Sequence, residues 1–391
     1  MESVSLLATA ALVWWVLVVG IRAGAVMAAF IQPMVRRQAA TRPDQPPVSV
    51  VIPVFRMEPE LDAAFASVFS QAYPRFEVLI TAAETDSDVI EVARRVAARY
   101  PHVPTRFLLG NQRFTLNPKV SNLAPAIAAA AHDYILIKDT NIWLAGGQLA
   151  ELMRNLTPGT GMVCAVPIGV RPENFCAEIE CAIMNARDAP YNMGASLLGL
   201  NVGFGKVMLF DHLDFSRGGG IAVMAPTFGD DHALAKALAR MGLHTVFSAG
   251  VIRQVMGRRT LREVWDRQLR WMVIRRDEEP FGFFAEPFFS AGFATLTAAV
   301  AGPVLGMAWW TVAAATLSVW MASDTLVVLG RGWGWSWRFP LAGLCREALI
   351  IGLWLRAWAS REVRWAGRPF DLKGEPPPPT AAGAAERSTQ S

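Results

Sequence analysis

Apolar residues are concentrated at the two ends of the chain, whereas the stretch from about 38 to 280 mixes charged residues with frequent Pro and Gly. The first apolar segment, residues 4–31, carries Arg22 as its only charge. It is longer than the roughly 20 residues that a helix needs to cross a bilayer. The pattern therefore predicts a membrane segment, followed by a globular domain and a second apolar region.

The start of the chain favours a transmembrane helix over a cleaved signal peptide. A signal peptide begins with basic residues and has a shorter apolar core, but here Glu2 leads and the basic residues Arg36, Arg37 and Arg42 follow the segment. We predict a transmembrane helix with a basic flank over 1–36. By the positive-inside rule, the domain after it faces the cytosol.

The C-terminal apolar region, predicted to extend over 281–373, is expected to hold a membrane hairpin. Residues 288–330 are long enough for two spans, with a break near Pro303 and Gly306. A further segment, 339–358, contains adjacent charges, so it fits a re-entrant or interfacial helix at least as well as a third crossing. The tail, 374–391, is rich in Pro, Ala and Gly and is predicted to be disordered.

The middle domain, 37–280, alternates short β-branched runs with amphipathic helical stretches, which predicts an α/β fold with a mainly parallel sheet. The predicted strands are VSVVIPV, FEVLITA, TRFLLG, DYILIKD and, later, HTVFSAGV. Ligands bind such sheets at the carboxyl ends of the strands. The polar residues that follow strands are Arg56, Glu58, Glu84, Asp86, Asn111, Asp139 and Asn141.

A pair of acidic residues, Asp230 and Asp231, opens a predicted helix that ends at Gly242. A carboxylate at a helix N-terminus can be a functional group or simply an N-cap, and the pair alone does not distinguish the two.

A basic helix precedes the second apolar region. Thr260 and Glu263 have the spacing of a capping box that starts a helix of about 17 residues. On it Arg267, Arg270 and Trp271 are spaced i, i+3 and i+4 and share one face. Taken alone, such a helix is more often an anchor at the lipid surface than part of a site.

Composition supports a membrane protein and excludes two other classes. The chain of 391 residues is 53% hydrophobic with a mean hydropathy of +0.29, which is too apolar for a soluble protein of this size. Its net charge is +4, without a basic stripe, so nucleic acid is not an expected partner. Four cysteines without CxxC spacing predict neither a zinc site nor a disulfide framework.

The ordered set of motifs resembles the membrane-bound glycosyltransferases of the GT-A fold, with their D, D, D, (Q/R)xxRW pattern, and most closely the ceramide glucosyltransferase family. The resemblance spans about residues 1–373. It is carried by EPELDAAFASVFSQAYPRFEVLI, NPKVSNLAPAI, GDDHALAKAL, RQLRW and VRWAGRPF. It implies a GT-A catalytic domain, with a Rossmann-like mixed or parallel sheet, between transmembrane and interfacial helices.

The resemblance also implies an activity, which is inverting transfer of a hexose, most simply glucose, from a UDP-sugar to the primary hydroxyl of ceramide. Asp231 would be the general base, and Arg267, Arg270 and Trp271 would complete the catalytic set. Asp139 would hold a divalent metal, Mg²⁺ or Mn²⁺. The residues expected to bind the nucleotide sugar are Pro53, Glu84, Lys119, Asp139 and Asp230.

Three departures from the family pattern bear on the metal and the nucleotide. Glu84 stands where the family has its first Asp, and Asn141 replaces the second carboxylate of the D-x-D motif, which implies a weaker or differently built metal site. The lysine that precedes the first strand's proline in the family is Ile52 here.

Two alternatives stay open. The acceptor could be diacylglycerol, a hopanoid or a polyisoprenyl phosphate, since nothing in residues 170–220 decides this. The chain could instead be a catalytically silent membrane protein that binds a nucleotide or a lipid. In every case we expect an integral protein of a bacterial inner membrane, with its domain in the cytosol.

Overall fold

The computed structural model describes residues 2–39, 42–360, 362–365 and 368–371, and the chain divides into two compact units. The predicted disordered tail, 374–391, lies outside the described residues. We call the units the sheet unit, Val35–Val166 with Gly199–Gln254, and the membrane unit, Met1–Met34 with Pro167–Leu198 and Val255–Trp365.

The membrane unit begins with the predicted N-terminal helix, α1, which runs from Glu2 to Ala39. Its apolar part is long enough to cross a bilayer. Arg22, buried within this helix, forms an ion pair with Asp324 at 2.6 Å, which explains how the segment accommodates a charge. The predicted transmembrane helix is thus present, with bounds somewhat wider than 4–31.

A seven-stranded mixed sheet forms the centre of the sheet unit, in the order β3-β2-β1-β4-β8-β6-β9. The neighbours β3, β2, β1 and β4 are parallel, as are β6 and β9, whereas β8 is antiparallel to both β4 and β6. The strands are β1 (Val48–Pro53), β2 (Phe76–Thr81), β3 (Thr105–Leu108), β4 (Tyr134–Lys138), β6 (Thr160–Cys164), β8 (Val207–Asp211) and β9 (His244–Phe247). The α/β fold predicted from the sequence is therefore confirmed.

Strands β1, β2 and β4 are runs of apolar residues because helices cover both faces of the sheet. Val50, Val78 and Leu136 belong to the main hydrophobic core of the unit. The covering helices are α2 (Leu61–Phe69), α3 (Asp88–Ala98), α4 (Pro118–Ala129), α5 (Gln148–Asn155), α8 (His212–Arg217), α9 (Ile221–Met224) and α10 (Asp230–Arg240). The two-residue strand β5 (Ile142–Trp143) pairs antiparallel with the start of β10 (Ile252–Gly257).

The segment 167–198 belongs to the membrane unit, although the sequence analysis placed it within one domain over 37–280. It contains β7 (Pro167–Pro172), α6 (Phe175–Ala182), a π-helix over Ile183–Asp188 and α7 (Ala189–Leu197). Most of its buried residues are apolar, and Cys181 and Met184 belong to a hydrophobic cluster inside that unit. The globular part of the chain is therefore not one contiguous domain, and 37–280 contributes to both units.

The rest of the membrane unit is helical. Helix α11 (Leu261–Glu278) starts with the predicted capping box of Thr260 and Glu263. After it come α12 (Pro280–Ala285), α13 (Ala291–Ala301), α14 (Trp309–Gly330) and α15 (Phe339–Ala359), then strand β11 (Glu362–Trp365), and β12 (Arg368–Asp371) follows in the chain. Short 3₁₀ helices, Glu286–Phe289 and Gly302–Leu305, flank α13.

Helices α13 and α14 pack on each other where the C-terminal hairpin was predicted, but α13, with 11 residues, is too short to cross a bilayer by itself. By length and composition, the described residues contain two helices that could cross a membrane, α1 and α14. A third is added if the helices before and after Ser290, which are bent by 56°, make one broken span. Arg346 of α15 is buried and pairs with Asp324 at 2.9 Å, so this charge points into the unit.

Candidate functional site

A cluster of acidic and basic side chains lies at the carboxyl end of β4, inside the sheet unit. Asp139 follows this strand directly, and both of its carboxylate oxygens face ammonium groups. Lys119 Nζ is 3.5 Å from Oδ1, and Lys206 Nζ is 2.8 Å from Oδ2. The backbone N–H of Asp139 also donates to the carbonyl of Lys206 at 3.0 Å. This end of a parallel sheet is where ligands bind in α/β proteins.

Lys119 contacts several members of the cluster. It lies in the first turn of α4, where Asn117 is the N-cap and accepts a hydrogen bond from the Lys119 N–H at 3.0 Å. Its ammonium group pairs with Asp230 at 3.1 Å and donates to the Gly205 carbonyl at 3.0 Å. Lys119 therefore forms ion pairs with both Asp139 and Asp230, which holds the two acidic residues together.

Asp230 and Asp231 open α10, but neither is its N-cap, since that position is Gly229. Asp230 is buried and accepts from Asn117 Nδ2 at 3.2 Å. Asp231 accepts from the backbone N–H of Gly205 through Oδ2 and from that of His232, at 2.9 Å, through Oδ1. A simple cap therefore does not account for these residues, because Asp230 also contacts α4 and its N-cap, and Asp231 also accepts from Gly205 before β8.

The chain before β8, residues 199–206, approaches Asp231 so closely that two positions require glycine. A Cβ on Gly203 would clash with the backbone of Asp231. A Cβ on Gly205 would lie 3.0 Å from Asp231 Oδ2 and 3.2 Å from Lys119 Nζ. We call residues 199–206 the glycine loop, and it fixes the Asp231 carboxylate by direct backbone contact.

Electrostatics keep the cluster charged. Burial by itself would raise the pKa of Asp139, but the ammonium groups of Lys206 and Lys119 outweigh it and lower that pKa to about 2. Burial also opposes the charge of Lys119, yet Asp230, Asp139 and Asp231 raise its pKa above the usual value. The pKa of Asp230 is raised, mainly by burial. At neutral pH an Asp139 carboxylate therefore lies between two ammonium groups.

A further lysine, Lys138, lies next to Asp139 in the chain. Lys138, the last residue of β4, is fully buried, and its ammonium group donates to the carbonyls of Ala64 at 3.3 Å and Thr140 at 3.4 Å. Burial lowers the pKa of Lys138 to about 7. The hydroxyl of Thr140 donates to the carbonyl of Pro53 at 2.7 Å. Pro53 is thus tied to the loop after Asp139 through its backbone.

The sequence-predicted nucleotide residues are brought together in part. Lys119, Asp139 and Asp230 form the cluster with Asp231. Glu84 is exposed in the loop between β2 and α3, and within the described residues no ion pair joins it to the cluster. Lys206 was not selected from the sequence, although the run Gly-Phe-Gly-Lys directly before an apolar strand is a signal that could have identified it.

The RQLRW residues lie on α11 in the membrane unit. Arg267 forms an ion pair with Glu180 of α6 at 3.2 Å, and its guanidinium lies 5.0 Å from the centre of the Trp271 ring. Arg259 approaches the same carboxylate at 3.8 Å. Glu180 is fully buried, so it orients Arg267 toward the interior of this unit. Arg270 and Trp271 are half-buried on the same helix.

The donor groups around Asp139 do not fit a resident divalent metal. Mg²⁺ and Mn²⁺ are bound by oxygen ligands, often one or two carboxylates together with substrate phosphates. Here each Asp139 oxygen already faces an ammonium group, and position 141 offers an amide. Within the described residues there is no group of three or more His, Cys, Asp or Glu side chains that could hold a metal ion.

Comparison with known sequences gives one family and a group of relatives. The profile described as glycosyl transferase family 21 matches residues 12–376. The ceramide glucosyltransferase of Komagataella phaffii is 31% identical over 150 residues, which cover 37% of this chain and 30% of the relative. Ceramide glucosyltransferase 1 of Caenorhabditis elegans is 24% identical over 263 residues, covering 66% of this chain and 56% of the relative. The chain thus matches only part of the length of each relative.

Among solved structures, a mannosyltransferase from Pyrobaculum calidifontis, in complex with GDP-Man and Mn²⁺, is similar with a TM-score of 0.51. The two are 18% identical, and the match covers 88% of this chain and 99% of that one. At this identity the likeness concerns the fold, and it agrees with the GT-A arrangement that the sequence motifs imply.

Proposed function

The chain belongs to glycosyl transferase family 21, and we propose that it transfers a hexose, glucose in the first place, from a UDP-sugar to the primary hydroxyl of ceramide. A glycosyltransferase activity follows from the family. The donor, the acceptor and inversion at the sugar carbon are our proposal. The curated relatives named ceramide glucosyltransferase support the acceptor.

The observation that carries the proposal is the fixed position of Asp231. Its carboxylate receives backbone hydrogen bonds from Gly205 and His232, and it lies in the cluster that contains Lys119. A general base must be held in place so that it meets the incoming hydroxyl in one orientation. A surface aspartate in the first turn of a helix would not need two glycines to reach its partners.

In the proposed reaction Asp231 accepts the proton of the acceptor hydroxyl while the hydroxyl oxygen bonds to the anomeric carbon of the sugar. The bond between that carbon and the diphosphate oxygen breaks from the opposite face, and its electron pair leaves with UDP. Displacement in one step inverts the anomeric configuration. Cationic groups near the leaving diphosphate lower the barrier because they stabilise its developing charge.

For the donor, we propose that the nucleotide lies over the carboxyl ends of β1, β2 and β4. Lys119, Asp139 and Asp230 then lie at the diphosphate and sugar end of the donor site, while Pro53 and Glu84 line the nucleotide side. Glu84 is exposed, so it is accessible to a ligand. A uracil base is proposed from the resemblance and from the relatives, and the guanosine donor of the archaeal mannosyltransferase belongs to that protein alone.

For the acceptor, we propose that ceramide reaches the site from the bilayer that α1 and α14 cross. Both helices expose large apolar side chains, for example Leu6 at 77% and Trp309 at 62%, as expected of surfaces in contact with lipid. Trp271 and Arg270, on the helix before the membrane segments, are proposed to contact the acceptor entrance and the diphosphate. The sheet unit is proposed to face the cytosol of a bacterial inner membrane.

A divalent cation, Mg²⁺ or Mn²⁺, was expected from the resemblance, with Asp139 as its ligand. The two ammonium groups at Asp139 do not support that site, so no step of the reaction above depends on a metal. The expectation stays a prediction, which a titration of each ion into metal-stripped enzyme tests directly.

The decisive experiment compares the lipids of cells that express the chain with those of cells that lack it, by mass spectrometry. We expect a glycosylceramide only in the expressing cells. Purified protein should then form the same lipid from UDP-glucose and ceramide in mixed micelles. A new glycosyl-diacylglycerol or glycosylated hopanoid instead would keep the transferase and refute the acceptor. No UDP-sugar turnover with any lipid would refute the proposed activity.

A further inference from the structure

Lys206 belongs to the cluster, although it lies in none of the sequence motifs that predicted the site. It is the last residue of the glycine loop and directly precedes β8. Because β8 runs antiparallel to β4, its first residue lies beside the last residue of β4, with Val207 opposite Lys138. The ammonium group of Lys206 therefore reaches the ligand-binding edge of the sheet from a strand that begins there.

The contacts of the two lysines differ. The ammonium group of Lys119 bridges Asp139, Asp230 and the Gly205 carbonyl, which makes it an internal support. Lys206 pairs with Asp139, with its Nζ 2.8 Å from Oδ2. The side chains of Lys206 and Asp139 keep 13% and 23% of their surface exposed, so a ligand can reach this pair; Lys119 is exposed to a similar degree, 12%, and differs from Lys206 in its contacts.

The leaving diphosphate of a nucleotide sugar needs cationic groups beside it, and many transferases use a divalent ion held by carboxylates for this purpose. At Asp139 such an ion would lie next to two ammonium groups and would be repelled by both. A lysine that is paired with the carboxylate can stabilise the negative charge of the diphosphate instead, since an ammonium group binds phosphate as a point charge.

We propose that Lys206 binds the diphosphate of the nucleotide donor and supplies the positive charge to its leaving oxygen, with Asp139 and Lys119 as its positioning residues. The inference rests on the proposed function for the identity of the donor. As the anomeric C–O bond breaks, the electron pair moves to the diphosphate oxygen, and the Lys206 ammonium donates a hydrogen bond to it without giving up its proton. Donor binding then requires no divalent ion.

The test is calorimetric binding of UDP to the purified full-length protein in EDTA, with parallel titrations in Mg²⁺ and Mn²⁺. We expect the Kd in EDTA to be within about threefold of that with either metal. Lys206→Met should weaken UDP binding in EDTA at least about tenfold, and Lys206→Arg should recover most of it. Lys236→Met, which removes a lysine farther along α10, is the control and should bind UDP normally.

A double substitution separates a diphosphate ligand from a simple counterion of Asp139. If Lys206 only neutralised that carboxylate, Lys206→Met would act by leaving an uncompensated negative charge, and adding Asp139→Asn would restore affinity. If Lys206 holds the diphosphate, the double variant stays weak. We expect the double variant to stay weak. Its melting temperature, and its elution volume in detergent on size-exclusion chromatography, should match those of the single variants, which shows that it is folded.

Three results would overturn the inference. They are loss of wild-type UDP binding on chelation of metals, wild-type affinity in Lys206→Met, and recovery of affinity in the double variant. None depends on the lipid. If UDP binding requires Lys206 but no lipid is glycosylated, the proposed function fails and the inference stands. If ceramide is glycosylated only with Mn²⁺ and without help from Lys206, the inference alone fails.

Discussion

The buried carboxylate of Glu180 lies 3.2 Å from the guanidinium of Arg267, which joins α6 to the helix that carries RQLRW. An anchor at the lipid surface would extend its arginines to headgroups, whereas this arginine is 13% exposed and turned into the membrane unit. A buried carboxylate needs a well-placed cation, so the pair restricts the orientation of Arg267. This geometry counts against an anchor role for Arg267, and the site role of the motif stays a prediction.

We therefore expect Arg270→Lys to reduce kcat at least about tenfold, or about 1.4 kcal/mol of transition-state stabilisation. Lysine keeps the charge but loses the planar fork that matches phosphate oxygens. Trp271→Ala should have an effect of similar size. Arg262→Lys is the matched control, because Arg262 lies on the same helix with 77% of its side chain exposed. Steady-state kinetics in micelles measure all three, and near wild-type turnover in Arg270→Lys would return the motif to an anchor.

Asp231→Asn should abolish transfer and leave UDP affinity within about a few-fold. Removal of a general base removes transition-state stabilisation and spares ground-state contacts. Asparagine can still accept the backbone hydrogen bond from Gly205, so the loop should keep its place. The control is Asp62→Asn, on the surface of the same unit at 47% side-chain exposure. Ordinary turnover in the Asp231 variant would show that another residue takes the proton.

Gly205→Ala should lower kcat by at least about fivefold, because its Cβ would lie 3.0 Å from Asp231 Oδ2 and must displace that carboxylate. Gly146→Ala, with no atom within 4 Å of the added Cβ, should be silent. Turnover is compared at saturating substrates, alongside melting temperature. Equal kinetics of the two alanine variants would mean that Asp231 tolerates movement and that its position is not critical.

Lys138→Met should stabilise the protein, and more at pH 6.5 than at pH 10. The folded-state pKa of Lys138 is about 7, below the ordinary 10.5. Below pH 7 the buried lysine is charged at full cost, and between pH 7 and 10.5 only the unfolded chain binds the proton, so the cost declines as pH rises. At pH 6.5 we expect the melting temperature of Lys138→Met to be at least about 2 °C above that of the unsubstituted protein. A gain that is the same at both pH values, or a loss at pH 6.5, would contradict this account.

A fragment limited to residues 40–280 should not glycosylate long-chain ceramide, even if it binds UDP. It removes α1 and α13–α15, including α15, against which α6 and α11 pack. The alkyl chains of the acceptor then lose apolar surface worth about 0.8 kcal/mol per CH₂. Full-length protein in the same micelles is the reference. Efficient transfer by the fragment would show that the flanking helices serve only as anchors.

The local elements of this protein are readable from its sequence. Short β-branched runs such as Val48–Pro53 indicate buried strands, and the capping box at Thr260 indicates the start of α11, because both signals depend on neighbours in the chain. The same is true of the apolar N-terminal helix. The acidic positions Asp139, Asp230 and Asp231 were predicted from the order of motifs, and the family that this order indicated is confirmed.

Other features of this protein depend on its tertiary structure and cannot be predicted from the order of residues. A search for polar residues after parallel strands finds Asp139 but passes over Lys206, which precedes a strand and reaches the same edge only because β8 is antiparallel. Likewise Glu180 is paired with Arg267, 87 residues away, and segment 167–198 joins the membrane unit. Sequence patterns indicate whether a residue prefers burial or solvent. The direction in which two strands pair, and the ion pairs between distant residues, depend on how distant segments pack. The partners of Asp139 and Arg267 are therefore visible only in the folded chain.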